Sequence, residues 1–467
     1  MAVVGGGIAG LAAAWELAGG GAPGTPGTPG ARVTVLEADG RLGGKIERRH
    51  FAGRHVDLGP DAFVARRPEA VELCQELGLG DELVTPAETA AYVMAGGRLR
   101  RLPAGLALGV PTRLGPLARS GILSPAALAR AALDVVLPRH AGAAPSDAAV
   151  GPLVAGRLGR QVVERLADPL VGGIHAGSVE EMSAAAVFPD LLRAAGQGGS
   201  LMRRLRPPAP SGAPAPVFRS LRGGLAALVD HLAEALGRAG VELRTGCEVR
   251  RLERRGRWVL DTADGAPLEA DAVVLAVPAP RAAALVAPHD AGLAELLGAL
   301  SYASVTLVTL RFATGDVPPL PPGTGYLVPR TGGAMVTACT WMSAKWPELA
   351  RPGDVLVRAS LGRFGDDRAL AMDDDALVGR AVAELTPALG LRGGPTDAMV
   401  ARFPLAFPQY TVGHLDRVAA MEQAAGRLGG LALAGAALRG VGIPACIASG
   451  RRAARSVVGH LEGPGWR

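Results

Sequence analysis

Aromatic residues make up only 4% of the chain, and cysteine occurs four times in 467 residues. Cys74, Cys247, Cys339 and Cys446 stand far apart, with no CxxC pair and no Cys/His cluster. Neither a disulfide framework nor a metal site is indicated, and the four read as buried thiols. Lysine is scarcer still, confined to Lys45 and Lys345, so the net charge of +6 is carried almost wholly by arginine. That charge is spread along the chain without interleaved aromatics, which excludes a nucleic-acid surface but suits a small acidic substrate. Every uncharged run stops short of the roughly 20 apolar residues that a spanning helix needs. Met1 leads into an apolar strand and glycines with no basic head, so no secretory leader is expected and the reading is cytoplasmic.

What the chain has in plenty is alanine, arginine and glycine, a composition that points to a GC-rich genome, and 49% of residues are hydrophobic. A chain of this size can bury a large core and divide into more than one lobe. Val3 and Val4 followed by GGGIAGLAAAWELA read as strand, glycine turn and helix. GGGAPGTPGTPGA, 19–31, is a low-complexity loop, and RVTVLEA, 32–38, is a second strand. From about 106 to 205 the pattern is helical, with Ser124 as a cap before Pro125. PPAPSGAPAP, 207–216, is a linker. A second α/β unit comes next, in which Leu225, Leu228, Val229, Leu232 and Leu236 share one helical face and ADAVVLAVPA is a fully buried strand. Strands are expected at 300–312, 334–340 and 431–435, and the Asp373-Asp374-Asp375 run is a helix cap with solvated charge.

Gly5-x-Gly7-x-x-Gly10 lies between a strand and a helix, where a dinucleotide fingerprint belongs. The first glycine makes the turn, the second admits a pyrophosphate to the backbone, and the third lets helix pack on strand. Gly6, Ile8 and Ala9 complete that turn. The ribose-binding acid is Glu37, at the end of the second strand and displaced by the Gly/Pro loop. Near the other end, Gly435, Gly440, Val441, Gly442, Ile443 and Pro444 form a second bare loop at the start of a helix.

These motifs carry a resemblance. Glu37-Ala38-Asp-Gly-Arg41-Leu-Gly43-Gly44-Lys45 resembles the Glu-x-x-x-Arg-x-Gly-Gly pattern of flavoproteins with the amine oxidase type of fold. VDLGPDAFVARRP, 56–68, resembles the Gly-Pro-Asp-Ser-Phe loop of the oxygen-dependent protoporphyrinogen and coproporphyrinogen oxidases. DPLVGGIHAGSVEEMS, CTWMSAKWP, FPQYTVGH and the Gly-Val-Gly-Ile-Pro loop are similar to further segments of that family. His175, Ser178 and Phe403 depart from its usual tyrosine, aspartate and tryptophan.

The resemblance implies a two-lobed α/β FAD flavoprotein. Its Rossmann-like FAD domain would comprise 1–85, 220–285 and 400–467, with a helical subdomain at 105–205 and a mixed-sheet substrate domain at 286–400. It implies non-covalent FAD held also by Gly59, Pro60, Asp61, Ala62, Val249 and Phe403. The substrate would meet Arg66, Arg67, His175, Lys345 and Tyr410, the cations receiving propionates. The flavin carries the redox step, so no catalytic acid/base pair and no metal are expected. The implied reaction removes six electrons from a porphyrinogen in three rounds, with O2 as acceptor and H2O2 as product. The GC-rich composition, as in high-GC Gram-positive bacteria, favours coproporphyrinogen III. Protoporphyrinogen IX, a flavin amine oxidase and a flavin-free escort protein are the alternatives. The Arg-rich stretch from 98 to 140 leaves room for peripheral membrane contact at the inner face of the cell membrane, and haem-pathway enzymes for partners.

Overall fold

The computed structural model describes residues 1–20, 32–136, 146–207, 216–265 and 267–462. The loop read at 19–31 and the linker read at 207–216 lie largely outside the described residues.

Twelve strands make the two main sheets. They are β1 (Ala2–Val4), β2 (Thr34–Leu36), β3 (Tyr92–Ala95), β4 (Arg98–Arg101), β5 (Glu242–Arg244), β6 (Val273–Leu275), β7 (Tyr302–Ala313), β8 (Gly325–Leu327), β9 (Val336–Thr340), β10 (Asp354–Leu361), β11 (Asp397–Pro408) and β12 (Leu431–Leu433). The first sheet is parallel throughout, in the order β5-β2-β1-β6-β12, with Val3 opposite Val35 and Val274. Its members come from both ends of the chain and from the middle. The residues of β1, β2 and β6 are buried on both faces, as the continuous apolar runs require.

Four helices position or brace the site: α1 (Ile8–Leu17), α2 (Ala226–Arg238), α3 (Asp374–Leu389) and α4 (Ile443–Leu461). On α2, Leu228, Val229, Leu232 and Leu236 are buried as their spacing predicts. α1 and α4 pack side by side. A Cβ at Gly450 of α4 would fall well inside contact with the Ala9 carbonyl of α1. Further along, Arg455 bonds Glu16 at 2.7 Å, so the two helices run in the same direction with both N-termini on one side.

The second sheet has the order β11-β7-β10-β9-β8-β3-β4, antiparallel except where β8 pairs β3. α3 covers one face, where Asp373 caps it by accepting the Ala376 N–H at 2.8 Å. The helical segment is built from short helices with a π-helix at Val163–Gly172. Ser124 caps the helix Pro125–Val136 by accepting the Ala127 N–H at 3.3 Å.

One local expectation needs correction, and two further irregularities shape the second sheet. Leu106–Ala107 and Val110–Pro111 form a short antiparallel ladder where helix was expected to begin. After β9 ends at Thr340 the chain turns into a helix at Met342–Lys345. The strand around Phe403 is interrupted, because Ala303 pairs Phe407 and Val305 pairs Phe403, leaving three residues opposite Ser304. Among the described residues no helix is long and apolar enough to cross a membrane.

Candidate active site

The glycines after β1 divide by the space around them. A Cβ at Gly10 would collide with the Gly5 carbonyl, and one at Gly5 would lie 2.6 Å from the Ala276 carbonyl beyond β6. These two residues let helix and strands close up. Among the described residues a Cβ at Gly7 would meet nothing within 4 Å, so the backbone there borders open space. No side chain caps α1 at Gly7, and its first N–H groups are left for an anion. Glu37 accepts the Gly6 N–H at 2.6 Å and the Asp39 N–H at 2.8 Å, which fixes its carboxylate at the rim of that space. The Glu37 carbonyl in turn accepts the Cys247 N–H at 2.8 Å, bringing the turn before buried Val249 beside it.

Exposed Ala38 leads to the segment 41–45, which lies against the same turn. Gly43 donates to the Gly6 carbonyl at 2.8 Å. Arg41 holds the loop from within, donating to the Gly44 carbonyl at 2.6 Å and to Glu47 at 2.7 Å. Lys45 has exposed surface yet is ringed by protein, the condition of a side chain on the wall of a concavity. Burial lowers its pKa, opposed by the nearby Cys446 thiol. Burial pushes that thiol up to about 11, against the pull of Lys45 and Arg67. These three groups of distant sequence position therefore share one locality.

The loop 57–62 bridges to the second sheet. Arg358, buried on β10, donates to the Asp57 carbonyl at 2.9 Å and to the Gly59 carbonyl at 3.0 Å. Asp61, between half-buried Pro60 and Ala62, is gripped by Lys345 at 2.9 and 3.0 Å, by Trp346 Nε1 at 3.0 Å and by Arg358 at 3.5 Å. Burial alone would raise its pKa, but Lys345 and Arg358, with the Trp346 bond, hold it at about 2. Lys345, expected to receive a propionate, is thus engaged by a protein carboxylate. Phe403 packs 3.7 Å from where a Gly59 Cβ would be.

At the far end, Gly440 has φ 142°, a conformation open to glycine, and Gly442 caps α4 with no side-chain bond, followed by Pro444 in the first turn. Ile443 is buried beside it while Val441 is half-exposed. The Gly435 N–H is held by Ser449 Oγ at 3.0 Å. Tyr410 is 2% exposed; its hydroxyl donates to the Ala436 carbonyl and accepts the Gly440 N–H at 2.8 Å. It was expected to meet substrate, and instead braces this loop.

On the remaining side, Ala176, Ala303, Val305 and Ala406 form an apolar cluster with Phe403, Phe407 and Phe364 packed against it. His175 is half-buried beside it, 6.0 Å between ring centroids from Tyr410. Arg66 and Arg67 are exposed; Arg67 Nη1 approaches the Gly440 Cβ position to 3.4 Å. The segment 172–178 is fastened from several directions. Phe364 donates to the Ala176 carbonyl at 2.6 Å, Gln409 to the His175 carbonyl at 3.1 Å, and Arg330 to the Gly177 carbonyl at 2.9 Å. Sequence reading missed Arg358, Arg330, Gln409 and Gly450. For Arg358 a signal existed, a lone arginine inside the apolar strand DVLVRASL. Among the described residues no group of three or more His, Cys, Asp and Glu could hold a metal ion.

The two uncapped helix starts, open backbone at Gly7 and Gly435, and a carboxylate at the end of β2 fit an extended dinucleotide with a planar ring system. The family model described as flavin containing amine oxidoreductase matches residues 8–458. A coproporphyrinogen III oxidase of Mycobacterium tuberculosis (strain ATCC 25618 / H37Rv) is 38% identical over 465 residues, covering 98% of this chain and 97% of that one. A coproporphyrinogen III oxidase of Bacillus subtilis (strain 168) is 32% identical over 474 residues, covering 99% and 98%. A crystal structure from Exiguobacterium sp. 255-15, of a protein provisionally named a protoporphyrinogen oxidase, matches with TM-score 0.87 and 33% identity over 99% of this chain and 98% of that one.

Proposed function

The chain belongs to the flavin containing amine oxidoreductase family, and from that membership we propose that it is a coproporphyrinogen III oxidase acting in haem biosynthesis. It removes six electrons from coproporphyrinogen III in three two-electron steps, with O2 as acceptor and H2O2 as product. The observation that carries this reading is the near end-to-end alignment with coproporphyrinogen III oxidases, at 38% and 32% identity.

FAD supplies the two-electron acceptor when bound. The residues that would hold it are Gly5–Gly10, Glu37, Arg41, Gly43–Lys45, Gly59–Ala62 and Val249 from one part of the chain, and Gly435 with Gly440–Pro444 from the other. Lys45 on the concave wall and the uncapped N-terminus of α4 would supply positive potential to an electron-rich ring. The apolar cluster around Phe403 and Phe407 suits the hydrophobic body of a tetrapyrrole macrocycle and would keep water from it. Exposed Arg66 and Arg67 at the rim meet propionates.

Purified protein given FAD and coproporphyrinogen III under air is expected to form fluorescent coproporphyrin III faster than autoxidation, with three H2O2 released for each macrocycle. Peroxide release from amines but not from porphyrinogens would overturn the assignment.

A further inference from the structure

A cavity of about 280 Å³ adjoins the loop 57–62 and shares only Asp61 with the residues assigned to FAD. It lies between the ladder of Arg48–Phe51 with Arg54–Asp57, the turn at Gly223 and Gly224, and the helix Met342–Lys345 with the residues after it. Asp57 lines this cavity and is 8% exposed. Its carboxylate accepts the N–H groups of Leu225 and Ala226 at 2.9 and 3.3 Å, and among the described residues it forms no ion pair.

The other charges on the wall are answered within the protein or by water. Asp61 is held by Lys345 and Arg358, and Arg54 by Asp354 and the Leu349 carbonyl. Arg351 donates to the carbonyls of Glu348 and Ala350 at 3.0 and 2.8 Å, and Arg351, Glu348 and His55 are exposed. Asp57 is left as a buried carboxylate with no cation bonded to it, and buried charges are ordinarily paired because losing water is costly. Burial and the like charge of Asp61 push its pKa up to about 6, so it is still ionised at pH 7. Its surroundings also leave it uncovered. A Cβ at Gly224 would lie 2.7 Å from the carboxylate, and the glycine has none; among the described residues a Cβ at Gly223 would meet nothing within 4 Å. Ser220, 2% exposed, lines the same cavity, and its hydroxyl has no partner among the described residues. Met342, Trp346 and Leu349 make the wall apolar on the side of the second sheet.

We propose that this cavity binds a small primary alkylammonium ion, whose N–H groups meet the Asp57 carboxylate and the Ser220 hydroxyl while its hydrocarbon body lies against Met342, Trp346 and Leu349. An ammonium has three donors and no acceptor, which matches a carboxylate and a free hydroxyl. An anion would meet the carboxylate, and the helix start behind it already has that carboxylate as its cap. A bare metal ion is excluded by the size of the space, several times the roughly 30 Å³ share of one water, and among the described residues by the lack of a ligand cluster. The bound cation supplies the counter-charge that Asp57 lacks, and so stabilises the folded chain in step with its affinity. The site does not depend on which porphyrinogen is oxidised.

The test titrates FAD-loaded protein at pH 7 with n-butylammonium chloride, against sodium chloride at equal ionic strength and 1-butanol as the neutral counterpart. Methyl NMR of the methionines reads the cavity itself, the Met342 signal being identified by its loss in Met342→Leu. That signal is expected to shift saturably with a Kd on the order of 1 mM, with no such shift from butanol or sodium chloride. Asp57→Asn is expected to weaken binding at least roughly tenfold. Leu349→Trp, which narrows the cavity and leaves Asp57 charged, is expected to weaken it as well, and decides the matter if Asp57→Asn does not fold. The proposal is overturned by a Met342 signal that does not move, by an equal shift with butanol, or by affinity unchanged in either variant. Butylammonium that is oxidised with release of H2O2 and bound equally by Asp57→Asn would lie at the flavin, and would overturn the proposal too. Loss of porphyrinogen turnover alone would overturn the proposed function and leave this site standing.

Discussion

The hydroxyl of Tyr410 accepts the backbone N–H of Gly440 at 2.8 Å while donating to the carbonyl of Ala436. One buried side chain thus ties together the short helix after β12 and the loop that starts α4. Tyr410→Phe removes both bonds without changing the ring's stacking on His414, whose centroid is 4.0 Å away. Losing a buried bond to the loop is worth about 1 kcal/mol, so FAD is expected to bind on the order of fivefold to tenfold more weakly. Fluorescence of released flavin on dilution measures it.

Gly450 lets α4 lie directly on the Ala9 carbonyl of α1. Backbone cannot yield as a flexible side chain does, so Gly450→Val is expected to cost at least about 3 kcal/mol and to yield protein with little bound flavin. Gly459, on the same helix, has open space around its Cβ position. Gly459→Ala is expected to be neutral or to stabilise by up to about 1 kcal/mol. Thermal unfolding of the pair separates packing from helix propensity.

The Asp61–Lys345 pair joins the loop 57–62 to the second sheet. Lys345→Met leaves a buried carboxylate with only Arg358 and Trp346, a loss of about 3 kcal/mol, and Asp61→Asn in the same chain is expected to recover most of it. The Asp61 pKa falls from an ordinary 3.8 to about 2 in the folded protein. Its contribution is therefore present above pH 4 and lost as pH falls towards 2. Denaturant unfolding of the single and double variants across that range checks both statements.

Asp57 shows the opposite sign. Burial, reinforced by the like charge of Asp61, raises its pKa from 3.8 to about 6, against the N–H groups of Leu225 and Ala226 that its carboxylate accepts and the nearby charge of Arg358. The folded protein holds the proton more tightly than the unfolded chain, so this contribution is complete below about pH 4 and lost as pH rises through 6. Asp57→Asn keeps an acceptor for α2 and no charge. It is expected to be more stable than wild type at pH 7 by up to about 3 kcal/mol, the gap closing by pH 4. A melting temperature that differs equally at both pH values contradicts this.

Much of this site is readable from local sequence because its parts are local. A strand, bare glycines and an apolar helix identify the turn after β1 wherever they occur, and the acid ending β2 comes with them. The same holds for Asp373, whose cap spans three residues. What sequence hid depends on distant partners. Lys345 read as a free cation because nothing near it in the chain shows that Asp61, 284 residues away, takes its charge. Tyr410 read as a substrate contact for the same reason. The helix at Met342–Lys345 and the interrupted pairing around Leu405, with φ 50°, were likewise not legible in the sequence. Short-range patterns do not encode such turns.

Coproporphyrinogen III is expected to reduce a flavin held between the two ends of this chain. The direct measurement is anaerobic: FAD-loaded protein mixed with coproporphyrinogen III or protoporphyrinogen IX, tracking the bleaching of the flavin's visible band. Without oxygen, autoxidation cannot contribute. Rapid bleaching with coproporphyrinogen III, and slower bleaching with protoporphyrinogen IX, is the predicted result. A flavin that stays oxidised with coproporphyrinogen III would contradict the account.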